Sequence, residues 1–211
     1  MKTTLHLDNA KENILTAAKI IKSGGVVAFP TETVYGIGAN IFDEKAVKTI
    51  FEIKGRNFNK PLSAHISDIK MVTMVSDIIP DIFYELAHIF LPGALTMIIK
   101  AKPTVPSLVT AATETIAIRF PSNQICKTFI DTVGVPLAAT SANISGNASA
   151  INPAEVKAEL DGRIDAIIDD GECELKLEST VISLLGKPTV IRVGAISINE
   201  IEGKLGKKIG F

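Results

Sequence analysis

The stretch STVISLLGKPTVIRV (179–193) decides the fold class. Its two apolar, β-branched runs, 179–185 and 189–193, read as strands, and only Gly186-Lys187-Pro188 separates them. So short a link cannot make the crossover that parallel neighbours need, so some of the pairing must be antiparallel. Upstream, strands alternate with helices, which favours an α/β domain. Together these readings predict a mixed parallel and antiparallel sheet flanked by helices.

Working back toward the N-terminus, Ile14, Ala17, Ala18 and Ile21 fall at helical spacing in 9–23, and Gly24-Gly25 ends the run. VVAF (26–29) reads as a buried strand stopped by Pro30. Asp43 can cap a helix with Val47, Ile50 and Phe51 on one face, closed by Gly55. LSAHI (62–66), LTMIIKA (95–101), IAIRF (116–120), PLAAT (136–140) and DAIIDD (165–170) read as further strands. Helical patterns cover 67–76, 80–90 and 122–132. Asn152-Pro153 starts another helix, and Ser197 with Glu200 suits a capping box. There is no repeat or long linker, so residues 1–211 are expected to form one domain.

The chain has 211 residues, of which 46% are hydrophobic and 21% charged, and a formal net charge of -1. That is long enough for a sizeable core. Near-neutrality gives no general pull toward nucleic acid, so any RNA contact needs a local basic patch. Cys126 and Cys173 are far apart, which argues against a zinc site or a disulfide framework and suits a reducing compartment. MKTTLHLDNA lacks the apolar core of a signal peptide, and no apolar run has the length of a membrane span. A cytoplasmic protein with no membrane partner is expected.

Three polar segments interrupt this frame. KGRNFNKPLSAH (54–65) gathers Lys54, Arg56, Lys60 and His65 at an element junction in a chain with no basic excess. Arginine's planar fork and lysine's point charge can together hold phosphoryl oxygens; equally, Lys54 can simply complement a helix C-terminus. PTETVYGIGAN (30–40) follows a strand and reads as a loop in which Thr31 and Thr33 offer hydroxyls and Tyr35 a stacking face. An ordinary turn would look the same. TSANISG (140–146) follows another strand, and its alternation of small and polar residues fits an anion nest or a polar turn.

Single residues add to these. Arg119 inside IAIRF must be paired or must face a cleft, and Arg192 in TVIRV poses the same question. Asp169, Asp170 and Glu172 fit a solvated turn better than a metal site. There is no GxxxxGK[ST] loop, GxSxG elbow or HExxH, and neither cysteine has an activating neighbour. Covalent catalysis and zinc hydrolysis are disfavoured.

Taken in order, PTETVYGIGA, KGRxxxKPL followed by histidine, SAN-S-G, STVI and IRVGAI resemble the YrdC-like threonylcarbamoyl-AMP synthase family. The resemblance runs from about residue 10 to 196. It implies a twisted mixed sheet with a concave cationic cleft. It also implies formation of threonylcarbamoyl-adenylate from L-threonine, bicarbonate and ATP, with release of pyrophosphate. A partner complex would then carry the threonylcarbamoyl group to tRNA.

Carried over by motif, Thr33, His65, Arg119, Ala139 (through its backbone) and Ser179 should bind L-threonine. Arg56, Lys60, Thr115, Ser141, Asn143, Ser149 and Arg192 should bind ATP. Lys54 and Arg56 should stabilise charge on the reacting phosphorus, and Arg119 should grip the threonine carboxylate bidentately. Mg2+ is expected with the ATP, and no protein ligands are assigned to it. Two departures are visible: Pro121-Ser122-Asn123-Gln124 where the family often has proline, any residue, histidine, proline, and Arg192-Val193-Gly194 for arginine-proline-glycine. The chain stops soon after, so the short form without the extra C-terminal domain is expected. Two other readings stay open: a non-catalytic YrdC-like RNA-binding module, and a carbamoyl-transfer enzyme of hydrogenase maturation. Chain length and scarce cysteine disfavour the second.

Overall fold

The structure is a computed structural model that describes residues 4–210. The first three residues of MKTTLHLDNA, and Phe211, lie outside the described residues. The strands are β1 (Leu5–Asp8), β2 (Val27–Phe29), β3 (Gly36–Asn40), β4 (Ser63–His65), β5 (Leu95–Lys100), β6 (Thr115–Arg119), β7 (Leu137–Ser141), β8 (Ala166–Asp169), β9 (Thr180–Ser183) and β10 (Thr189–Arg192). They form one sheet in the order β1-β8-β2-β3-β7-β4-β6-β5-β9-β10. The expected mixture is present. β9 and β10 form an antiparallel hairpin, whereas β5 and β9, and β4 and β6, run parallel.

The helices are α1 (Lys11–Lys22), α2 (Glu44–Lys54), α3 (Asp81–Phe90), α4 (Ser107–Thr110), α5 (Gln124–Val133), α6 (Pro153–Leu160) and α7 (Ile198–Leu205). Their ends follow the sequence signals. Asp43 accepts from the amides of Lys45 and Ala46, and Gly55 closes α2 at φ 58°. Asn152 caps α6, with Pro153 in its first turn. Ser197 accepts from the Glu200 amide, but the Glu200 carboxylate pairs with Lys204, so only half of a capping box forms.

Three expectations change. The 67–76 pattern is a 3-10 helix over Ile69–Met74. β1 (LHLD) is not among the expected strands: its alternation of Leu5 and Leu7 with His6 and Asp8 spans only four residues, too few to mark a strand, and only Leu7 is buried. GIGAN (36–40), expected as loop, is strand β3 in the middle of the sheet. Its glycines make room for a ring: a Cβ on Gly36 or Gly38 would lie 2.9 Å from Phe29 side-chain carbons.

Alternation along the strands divides the core. Val26, Ala28, Ile116, Ile118 and Met97 face a large cluster with residues of α2, α3, α6 and α7. The opposite face carries a smaller cluster in which α1 and α5 pack on β1, β8, β2 and β7 through Ile14, Ile21, Phe129, Phe29 and Leu137. β4, β5, β6 and β9 contribute nothing to that second cluster. Their side chains on that face are left to line a cleft.

Candidate functional site

The cleft floor follows from strand register. Ser63 on β4 lies between Ala139 on β7 and Ala117 on β6, and Ala117 pairs with Ile98 on β5. One step along, His65 sits beside Arg119, which pairs with Thr96. Residues two apart share a face, so a row of small side chains runs beside a row of polar ones. The cleft holds about 900 Å³ of non-protein space including its open mouth, room for a small molecule. Thr31, Thr33, Arg56, Ser141, Glu178, Ser179 and Arg192 complete its wall.

At the inner end, the 2% exposed Arg119 is buried against Glu32. Its Nη2 pairs with Glu32 Oε1 and lies 3.4 Å from Thr33 Oγ1, while Nη1 donates to the Gly93 carbonyl. Glu32 Oε2 also accepts from the Ser122 amide at 3.1 Å. Sequence reading missed Glu32; the demand that a buried Arg119 be paired was the one signal for it. Both terminal nitrogens are committed, so the expected bidentate grip on a ligand carboxylate is not the geometry present. Desolvation and then the Arg119 charge hold His65 down at about 3, so it is neutral at pH 7. Ser63 Oγ gives its hydrogen to the Ala139 carbonyl at 3.0 Å. At the 3.3 Å contact with Ser63, His65 Nδ1 is therefore the donor, leaving Nε2 as an acceptor. Ser179 shares a 2.7 Å hydrogen bond with Thr96, another residue missed from sequence.

At the outer end, Gly55 turns the chain, so Lys54 and Arg56 diverge instead of sharing an extended face. Arg56 is half-buried in the cleft wall, with Nη2 donating to Pro61 O at 2.9 Å and Nε to Lys60 O at 3.2 Å. Burial lowers its pKa, and the Glu178 charge opposes that. Lys54 is not in the wall at all. At 1% exposure, its ammonium meets the carbonyls of Ser141 and Asn143, with Asn143 Oδ1 at 3.4 Å. Desolvation, then Arg56, pull it down to about 7. Lys54 thus clamps the SAN turn, and the expectation that it touches the reacting phosphorus is corrected by its position.

The SAN turn is not an anion nest. The amides of Ala142, Asn143, Ile144 and Ser145 bond Tyr35 O, Ser141 O, Glu159 Oε2 and Lys54 O. Asn143 turns its amide onto the carbonyls of Ile144 and Asn147, away from the cleft wall, against the expectation that it contacts ATP directly. Tyr35 offers no stacking face either: its ring is buried and its hydroxyl donates to Gly171 O at 2.8 Å.

The remaining expected residues are scattered. Ala139 and Ser141 line the floor. Thr115 shares the face of Ala117 but lies beyond the wall, bonded to Thr113 at 2.8 Å. Lys60 is exposed at the surface and outside the wall. Ser149 is also outside the wall but donates to Glu178, which pairs with Arg192. Gly194 permits this corner, since a Cβ there would lie 2.1 Å from Glu178 O.

Glu32 and Glu178 offset Arg119 and Arg192, so among the described residues Arg56 is the wall arginine without a carboxylate partner. Most of the positive charge that the resemblance implies for the cleft is thus paired with carboxylate. Glu178 is the sole wall carboxylate, and both its oxygens are engaged, by Ser149 and Arg192. No group of three or more His, Cys, Asp or Glu arranged to hold a metal occurs among the described residues. Asp169, Asp170 and Glu172 serve the turn and its neighbours, through Gly171, Asn9 with Asn123, and Lys176. Cys126 and Cys173 are buried free thiols raised mainly by desolvation, Cys173 to about 11. No described helix is long and apolar enough to cross a membrane.

Known proteins resemble this chain in sequence and fold. A threonylcarbamoyl-AMP synthase of Pyrococcus abyssi is 43% identical over 195 residues, covering 92% of this chain and 57% of that protein. One of Bacillus subtilis is 42% identical over 205 residues, covering 96% and 59%. The crystal structure of P. abyssi Sua5 complexed with L-threonine superposes with a TM-score of 0.94 at 39% identity, over 99% of this chain and 62% of that one. The chain therefore spans less than two thirds of each of these relatives. The Sua5–YciO–YrdC family model, described as telomere recombination, matches residues 19–194. The chain belongs to the Sua5–YciO–YrdC family.

Proposed function

We propose that this chain is an L-threonylcarbamoyladenylate synthase, joining L-threonine, bicarbonate and ATP with release of pyrophosphate. The observation that carries the reading is the 42–43% identity to synthases of that name, spread over nearly the whole chain. A cleft with a polar inner end and an arginine-bearing rim supports it. Thr33, His65, Arg119, Ala139 and Ser179 form the L-threonine end. Neutral His65 accepts a hydrogen bond from the amino acid, and Arg119, held by Glu32 and the Gly93 carbonyl, offers its carboxylate the N–H groups that those partners leave unused. Arg56, Arg192 and Ser141 take the nucleotide, with Lys60, Thr115 and Ser149 at its margins and Lys54 and Asn143 holding Ser141 in place.

The chemistry needs no protein nucleophile. The amine of L-threonine condenses with bicarbonate, losing water, and the carbamate oxygen then attacks the α-phosphorus as pyrophosphate departs. The protein's share is to bring anions together and neutralise charge at phosphorus, for which Arg56 is placed. Mg2+ is expected to arrive with the triphosphate and neutralise the leaving pyrophosphate. Transfer of the product's threonylcarbamoyl group to tRNA belongs to a downstream complex. Pyrophosphate release that requires both L-threonine and bicarbonate, with the product mass from labelled substrates, tests the reading. An RNA-binding module would release none.

A further inference from the structure

Glu178 has no part in the reaction as written, yet it faces the cleft. Its Oε1 accepts from Ser149 Oγ at 2.7 Å, and its Oε2 pairs with Arg192 Nη1. The second branch of Arg192 donates to Ser179 O at 2.9 Å. The carboxylate's charge also reaches Arg56. Its backbone is fixed, with Glu178 O accepting from the Ala195 amide at 2.9 Å. The side chains of Glu178 and Arg192 remain 37% and 47% exposed, so the pair sits in water and is weakly held.

We propose that Glu178 is the resident counter-anion of the rim: it holds Arg192 in the cleft wall and is displaced from it when a polyphosphate arrives. A carboxylate and a phosphate cannot share Arg192 Nη1 without repulsion. The phosphate brings more charge and can span both branches of the guanidinium. Glu178 can leave at little cost, because it is part-exposed and keeps Ser149 as a partner. Its charge meanwhile disfavours weaker anions at Arg56 and Arg192. The inference rests on the proposed function only in naming the anion as the polyphosphate of a nucleotide.

The test is calorimetric binding of inorganic pyrophosphate, without metal and again with Mg2+, to the wild type and Glu178→Gln. Glutamine keeps the shape and the Ser149 bond but removes the charge. Melting temperatures near wild type establish that the variant is folded. Binding about tenfold tighter in Glu178→Gln is expected, from loss of one like charge a few ångströms away in a partly solvated site. The gain should be much smaller when Arg192→Gln is the background, because competition for that guanidinium is gone and only the longer-range effect at Arg56 is left. Unchanged or weaker binding in Glu178→Gln, under either metal condition, overturns the proposal, as does a gain that Arg192→Gln leaves undiminished. If wild type binds pyrophosphate as expected but releases none with L-threonine and ATP, the reaction fails and the role of Glu178 stands.

Discussion

At the inner end of the cleft the side chains of Arg119 and Glu32 are 3% and 5% exposed, whereas at the rim those of Arg192 and Glu178 are 47% and 37% exposed. Both are arginine–carboxylate pairs, and both arginines line one cavity. The inner pair is fixed further by Gly93 O, Thr33 and the Ser122 amide, so neither charge can go unpaired without a large penalty. The rim pair has water as an alternative. The difference teaches that similar contacts do different jobs: the inner pair is part of the fold's stability, and the rim pair is a charge reserve that ligands can draw on. Breaking either pair tests this.

The largest expected effect is at the inner end. Glu32→Ala leaves Arg119 buried without its counter-charge, and stability should fall by about 3–5 kcal/mol in urea unfolding. Arg192→Gln should change stability by less than about 1 kcal/mol. Equal losses in the two variants would erase the distinction. Next is Arg56→Ala. Threonine-dependent pyrophosphate release should drop about 10²–10³-fold while the melting temperature stays close to wild type. Near-normal release would remove Arg56 from the reaction.

Lys54→Met sharpens the comparison within one motif, since Lys54 and Arg56 are two residues apart but belong to opposite regimes. The methionine strands the Asn143 carbonyl and leaves Ser141 O with only the Asn143 amide, and a stability loss of roughly 1–3 kcal/mol is expected. Activity should fall through a displaced Ser141. A variant as stable as wild type but as inactive as Arg56→Ala would return Lys54 to direct contact with substrate.

Legibility differed in the same way. The sheet's mixed character could be read from Gly186-Lys187-Pro188, and the helix ends from Asp43, Gly55 and Asn152, because these are local signals. β3 was misread because its glycines look like a loop until Phe29 is seen packed over them. At the site, the charged residues stood out by type, but their partners did not. Glu32 is 87 positions from Arg119, and Lys54 is as far from Ser141, so no spacing rule connects them. Sequence could say that Lys54 and Arg119 needed partners; only the fold, which brings the loop after β2 to the end of β6 and the end of α2 to the end of β7, says which.

The smallest effect concerns His65, on the inner side of the comparison. An unfolded histidine titrates near 6.5, and here burial and Arg119 hold the native group at about 3. Between those values the unfolded chain binds a proton that the native protein does not, so stability must fall as pH falls from 6.5 toward 3. The loss from this one group should be roughly 1–2 kcal/mol between pH 6.5 and 5. His65→Asn can keep a donor near Ser63 but cannot titrate, and it forfeits the edge contact of the imidazole with Phe29 at 5.7 Å between ring centroids. The variant should be less stable at pH 7 yet lose less on acidification, so the two curves of unfolding free energy against pH converge. Parallel curves would mean that His65 is charged in the native state. The inner end would then hold a second cation beside Arg119 and could not be the neutral, pre-paired pocket that distinguishes it from the rim.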